Sequence, residues 1–421
     1  MKITTRFTTI LFQVLPASLA LAAGGDWPQW GGPNRDGKSP ETGLLKEWPQ
    51  EGPPLAWKAT GLGAGFSSVA LVGQRIYTQG DVDGASVVLA LNRADGKRIW
   101  ASKLGKAGAP GWGGFTGPRG TPTVDGDLVF AVGQFGELAC YNAKDGQEIW
   151  RKDYAKDFGA NRPEWGFSGS PLVDGEMVLV APGGEGGDVV ALNKKTGAVI
   201  WRSAEMKDTV HYTSLAIQEI GGIRQCLLLG ETSLAGITVK DGKMLWRTPR
   251  KGATAVIPDP IYSDGYIYTT SGYGAGCNLF KITAQDGRFS LEEVYKNKTI
   301  ENHHGGVVKV GNYIYGFSEK GGWTCQEMLT GKVMWQENQK LRKGSIFYAD
   351  GRLILREEDN KGSRKGRIVL IEATPSGYQE KGSFNQPDRS KDHAWPHPVV
   401  TGGMLYIRDG DVLLCYDLKA K

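Results

Sequence analysis

One phrase recurs through this chain and restricts its fold more than anything else. It reads LALNRADGKRIW at Leu89–Trp100, LACYNAKDGQEIW at Leu138–Trp150, VALNKKTGAVIW at Val190–Trp201 and LAGITVKDGKMLW at Leu234–Trp246. It continues as LFKITAQDGRFSL at Leu279–Leu291 and TCQEMLTGKVMW at Thr324–Trp335. Two degenerate copies follow, at Val369–Tyr378 and Leu413–Lys419. Each copy is written as a β-hairpin: an alternating apolar strand, an Asp-Gly or Thr-Gly turn whose glycine takes positive φ, and a second strand carrying tryptophan. A second phrase precedes each copy, as in TPTVDGDLVFAV from Thr121, SPLVDGEMVLV from Ser170, DPIYSDGYIYTT from Asp259 and HPVVTGGMLYI from His397. Weaker versions begin at Ser68, Ser214, Gly306 and Ser345. Two hairpins per unit of roughly 45 residues make a four-stranded antiparallel sheet, and eight such units predict an all-β, eight-bladed β-propeller.

The last unit supplies only three strands before the chain ends. Leu55-Ala56-Trp57 is expected to provide its missing outer strand, so that both chain ends build one blade and leave no free edge at the seam. Trp57, Trp100, Trp150, Trp201, Trp246 and Trp335 are then structural docking residues between blades, and the five from Trp100 to Trp335 are expected to be buried. The 61 glycines among 421 residues suit many tight turns and few helices. Residues 24–54, with WPQWGGPNRDG and several prolines, read as an extended arm laid on the surface of a propeller spanning 55–421.

Residues 1–23 read as an export signal. Lys2 and Arg6 precede a short apolar run, and Ala20-Leu21-Ala22 fits the cleavage rule. No cysteine precedes Cys140, so no lipid-attachment site is expected at the leader's end, and the mature chain is placed in the periplasm or outside the cell. The net charge of +5 includes Lys2 and Arg6, and the small remainder is unclustered, which argues against a nucleic-acid partner. The five cysteines are read as small buried strand residues. No integral membrane segment is expected after cleavage, and the chain is read as a monomer.

The repeat resembles the tryptophan-docking motif of the quinoprotein-like (pyrroloquinoline quinone repeat) propeller family. That family includes quinoprotein alcohol dehydrogenases and the outer-membrane-protein assembly propeller lipoprotein, which binds protein and no quinone. WPQWGGPNRDG, PEWGFSGSPLVDG at Pro163–Gly175 and NHHGGVV at Asn302–Val308 are similar to exported members of this type. The enzymes use a vicinal cysteine pair, a calcium ion held by Glu, Asn and Asp, and long insertions between blades. This sequence has no such cysteine pair, no matching calcium motif and short loops. The resemblance therefore implies a non-catalytic envelope protein that binds a protein or polymer partner through a propeller face, with no cofactor, no metal and no catalytic residue expected. A PQQ-dependent alcohol or sugar dehydrogenase, using PQQ with calcium, is the alternative.

A propeller binds at the channel mouth, on loops leading into the innermost strands. Aligning the repeats puts Phe66, Arg119, Ser168, Tyr212, Ile257, His304, Lys343 and Trp395 there, with Phe167, His211, His303 and His397 beside them. This ring contains aromatics, cations and imidazoles but no carboxylate. His303 and His304, adjacent on an extended chain, are expected to point to opposite sides. Trp112, Phe115, Trp165 and Phe167 lie on connections, and packing against Trp27 and Trp30 of the arm is their expected role.

Overall fold

The computed structural model describes residues 25–184, 187–203, 205–358 and 366–420. The expected leader lies outside these residues. Strands dominate: one short α-helix, Tyr154–Phe158, and one 3-10 turn, Trp112–Gly114, are the helical elements among the described residues.

Eight antiparallel sheets follow one another around a central axis. Blade 1 is typical, with strands Ala70–Val72, Arg75–Val82, Ala85–Asn92 and Arg98–Lys106 in that order from axis to rim. Blades 2 to 7 repeat it over residues 123–153, 172–203, 216–249, 261–297, 307–337 and 344–385. Blade 8 takes three strands from 399–417 and its outer strand from Leu55–Ala59, with Trp57 opposite Cys415. The ring thus closes as the sequence predicts.

The recurring Trp and the recurring turn glycine act on each other across blades. Trp150 of blade 2 lies over Gly197 in the turn of blade 3, where an added Cβ would stand 2.7 Å from the indole. Gly197 has φ +70°, so the turn also needs the left-handed conformation. The Trp150 indole N–H then donates to Lys194 O in the same turn at 2.9 Å. Trp57 meets Gly96, Trp100 meets Gly146 and Trp201 meets Gly242 in the same way. Each tryptophan therefore binds its blade to the next one by ring contact, and most add a hydrogen bond.

Four of the eight junctions depart from this: Tyr295 takes the place of Trp over Gly331 after blade 5, blade 7's outer strand carries no Trp, and two tryptophans find other partners. Blade 5 has ten-residue strands, Gly276–Gln285 and Arg288–Asn297, so its turn at Gly287 lies beyond the reach of Trp246. Trp246 remains buried and donates instead to Gln225 Oε1 within its own blade, at 2.6 Å. Trp335 was expected to be buried and is only half-buried. The next blade's turn is degenerate there, and Trp335 meets the Tyr378 ring edge-on rather than covering a glycine.

Only the second half of the arm is laid on the propeller's outside, where Trp48 N donates to Lys381 O at 2.8 Å and Gly52 lies against Phe384; residues 26–39 are not. The first half enters the channel from the face formed by the inner-hairpin turns, where Asp26 Oδ1 accepts from Gly73 N at 2.9 Å. Trp27 bridges Leu71 on the inner strand of blade 1, and Pro28 O accepts from Val124 N of blade 2 at 2.8 Å. The chain folds back through WGGPNRDG and leaves as Lys38–Ser39, which pairs in parallel with the innermost strand of blade 7, Gly344–Ala349. Gly32 permits the knot, since a Cβ there would come within 2.5 Å of the Trp27 ring. Inserting the arm satisfies inner-strand backbone groups that otherwise face an open channel.

All five cysteines are free and buried. No helix among the described residues is long and apolar enough to cross a membrane.

Candidate functional site

A cavity of about 1130 Å³ occupies the channel. The inserted arm lines one side of it. Trp30 donates from Nε1 to Asp259 Oδ2 at 2.8 Å and sets its ring edge-on to His397, with centroids 4.8 Å apart. Arg35 donates to Pro171 O at 3.0 Å and faces Asp259, and burial pushes its guanidinium down to about 10. Burial likewise raises the Asp259 carboxyl, against the opposing influence of Arg35 and Trp30.

Phe66, Arg119, Ser168, Tyr212, Ile257, His304, Lys343 and Trp395 all contribute to the cavity wall. The reason is local. Each stands just before an inner strand, where the chain crosses from the rim of one blade to the axis of the next. Of their neighbours, His303 and His397 also reach the wall, whereas Phe167 is buried against Tyr154, with ring centroids 5.0 Å apart. Phe115 and Trp165 do not pack on the arm. Phe115 lies 5.0 Å from Trp395 and Trp165 lies 6.0 Å from Tyr212, centroid to centroid.

The adjacent histidines do not diverge. The His303 and His304 rings stack at 3.6 Å, and the His304 ring lies 4.5 Å from Trp395. The segment before this blade is a bend rather than a strand, so strict side-chain alternation does not apply. Trp395 is the hub, with His393 stacked at 4.7 Å and Phe66 at 4.4 Å.

The mouth also holds carboxylates that the sequence reading missed. Glu358, only 5% exposed, accepts from His393 Nδ1 at 2.9 Å and Trp395 Nε1 at 2.8 Å, and Lys343 Nζ stands 3.4 Å away. Burial alone would raise its carboxyl, but the surrounding histidines and Lys343 hold it well below the usual carboxylate range. Glu319 stands 3.8 Å from His303, and Glu231 stands 3.7 Å from His211. These acids come from the connection between the second and third strands of a blade, which reaches the same face as the loop before the first strand. Counting only one of the two loops hid them. The signal was available in Asp81, Gln134, Glu231, Glu319 and Glu358, polar residues at the equivalent point of five repeats.

Protonation states follow from the geometry. Burial, followed by the neighbouring His304 and Lys343 charges, drives His303 down to about 2. Neutral His303 therefore accepts at Nδ1 from the Lys343 ammonium, 3.0 Å away, and carries its proton on Nε2. Burial pushes His397 down to about 4, although its contact with His304 O at 3.0 Å opposes this.

The family model for the outer membrane protein assembly factor BamB matches residues 84–337, more than half of the chain. The chain belongs to this family. The BamB of Moranella endobia is 24% identical over 275 residues, which are 62% of this chain and 68% of that protein. Among solved structures, BamB from Moraxella catarrhalis superposes with a TM-score of 0.58 at 16% identity, over 84% of this chain and 95% of that one. Quinohemoprotein alcohol dehydrogenase from Comamonas testosteroni gives 0.64 at 12% identity, over 96% and 82% of the two chains. At these identities the structural likeness establishes the propeller fold and no more.

The donors present do not fit a quinone held with calcium. All five cysteines are buried and none lines the cavity. Glu358 and Asp259 are taken up by Lys343, His393, Trp395, Arg35 and Trp30, and no group of three or more metal-ligating side chains converges among the described residues.

Proposed function

We propose that this BamB-family propeller is an exported, non-catalytic scaffold of the cell envelope that binds a partner protein through a propeller face. It is made as a precursor with a leader over 1–23, an arm over 24–54 and a propeller over 55–421, and it acts in the periplasm as a monomer. Family membership carries the reading, since the relatives are named for outer-membrane protein assembly. A repeated surface feature supports it. Ile99, Ile149 and Ile200, each just before a docking tryptophan, are 45%, 44% and 48% exposed on the outer strands of three successive blades. These outer strands are sheet edges with unpaired backbone groups, and an apolar side chain beside such an edge suits strand addition by another protein.

Purification from envelope extracts after photo-crosslinking at position 149 tests this. A discrete partner band is expected, and it should vanish when Ile99, Ile149 and Ile200 are all changed to Lys with the melting temperature unchanged. A chain that crosslinks to nothing, or whose partner survives the triple change, would contradict the proposed face.

A further inference from the structure

The open mouth of the channel has the character of a ligand site, and its chemistry selects one class of ligand. The arm fills part of the channel, and the cavity runs on beside it to Asp174, Gln218 and Ser263 at the inner-hairpin turns. Its wall is a run of rings in contact, from Tyr273 on His303 at 4.4 Å through His304 to Trp395 and Phe115. Its charges are already spent on one another. Lys343 faces Glu358, and Arg119 donates to Phe115 O at 2.6 Å and also to Gly117 O, with Asp81 as its nearest opposing charge. An anionic ligand would have to compete with these internal partners.

Beside the ring wall at the mouth, the unspent donors are an indole and an imidazole. Trp165 Nε1 and His303 Nε2 have no hydrogen-bond partner among the described residues. At the rim, Trp112 is 74% exposed, while the other twelve tryptophans are buried or half-buried. It is held there by design of the loop. Glu164 Oε1 accepts from Trp112 N at 2.8 Å, and Gly111 lies so close to Glu164 O that a Cβ would stand 1.7 Å from it. An exposed indole fixed beside a pocket of rings and neutral N–H donors matches a ligand with flat apolar faces and a hydroxyl edge.

We propose that the channel mouth binds a neutral carbohydrate, with a sugar ring against the exposed Trp112 indole and hydroxyls at Trp165 Nε1 and His303 Nε2. This inference rests on the cavity and does not depend on the scaffolding reading, so loss of the partner face leaves it standing. Calorimetry and tryptophan fluorescence on the mature chain, with cellohexaose, maltohexaose, N-acetylated chitohexaose and hexagalacturonate, test it. At least one neutral hexasaccharide should bind and shift the fluorescence, more tightly than the charged hexagalacturonate. Trp112→Ala should weaken binding by about tenfold with an unchanged melting temperature, and Trp165→Phe, which keeps a ring and removes the free N–H, should also weaken it. No binding by any neutral probe, tighter binding of hexagalacturonate, or affinities unaffected by Trp112→Ala and Trp165→Phe would overturn the assignment.

Discussion

Trp150 and Gly197 illustrate how single residues hold this ring together. Replacing Trp150 by Ala removes a buried indole from a blade junction, and a cost of about 3–5 kcal/mol is expected in urea denaturation. Gly197→Ala approaches the same contact from the other side. The methyl group meets the indole and the backbone must hold positive φ, so a loss of about 2 kcal/mol or more is expected. Equal stability of wild type and Gly197→Ala would show that the ring contact is not needed. The mouth residues set a pH dependence. His397, held near 4 in the fold against an ordinary value of 6.5, binds its proton more readily when unfolded. Stability is therefore retained above pH 6.5 and lost as pH falls from 6.5 towards 4, by an amount on the order of 3 kcal/mol. Glu358 adds a second, lower window, because its depressed carboxyl contributes stability that fades as pH drops below 4.5. A melting temperature that stays flat between pH 7 and 4 would contradict the burial of His397.

Among the elements, the arm has the clearest energetic role. Asp259 is the buried counter-charge of Arg35 and accepts from Trp30 Nε1 and Ser214 N. Asp259→Ala leaves a buried cation and an indole N–H unpaired, so a destabilisation of about 3–5 kcal/mol is expected by chemical denaturation. A negligible change would mean that the arm does not occupy the channel. The arm also marks where the sequence stopped being legible. The blades were readable because the Trp-on-Gly contact, made at four of the eight junctions, requires tryptophan and glycine at a fixed spacing that the repeat displays. WGGPNRDG occurs once, so no periodicity could say whether it lies outside or inside the ring. Its glycines signalled tight turns, but the partners of Trp30 and Arg35 lie more than a hundred residues away. The site was half legible for a related reason. Repeat alignment located residues such as Arg119, Lys343 and Trp395, but Glu358 sits on the second loop of its blade, and the pairing of the two loops is a property of the folded face.

At the scale of the whole molecule, a ring is closed by its own two ends and holds part of its arm inside the channel. Closure has the widest consequences. If Leu55–Ala59 did not complete blade 8, the edge of Val412–Asp417 would be free, the arm would lose its anchor and the cavity would lose the side that the arm lines. Leu55 and Tyr416 stand directly opposite each other in this pairing, within reach of a disulfide. Cys415 adjoins position 416 and faces Trp57, so the mapped peptide link must be assigned to 416 rather than 415. The decisive measurement is therefore oxidation of the Leu55→Cys/Tyr416→Cys double variant, followed by peptide mass spectrometry. A disulfide within one chain joining positions 55 and 416 is expected, formed by folded monomer in high yield. No link, or links only between separate chains, would contradict a ring closed by its two ends.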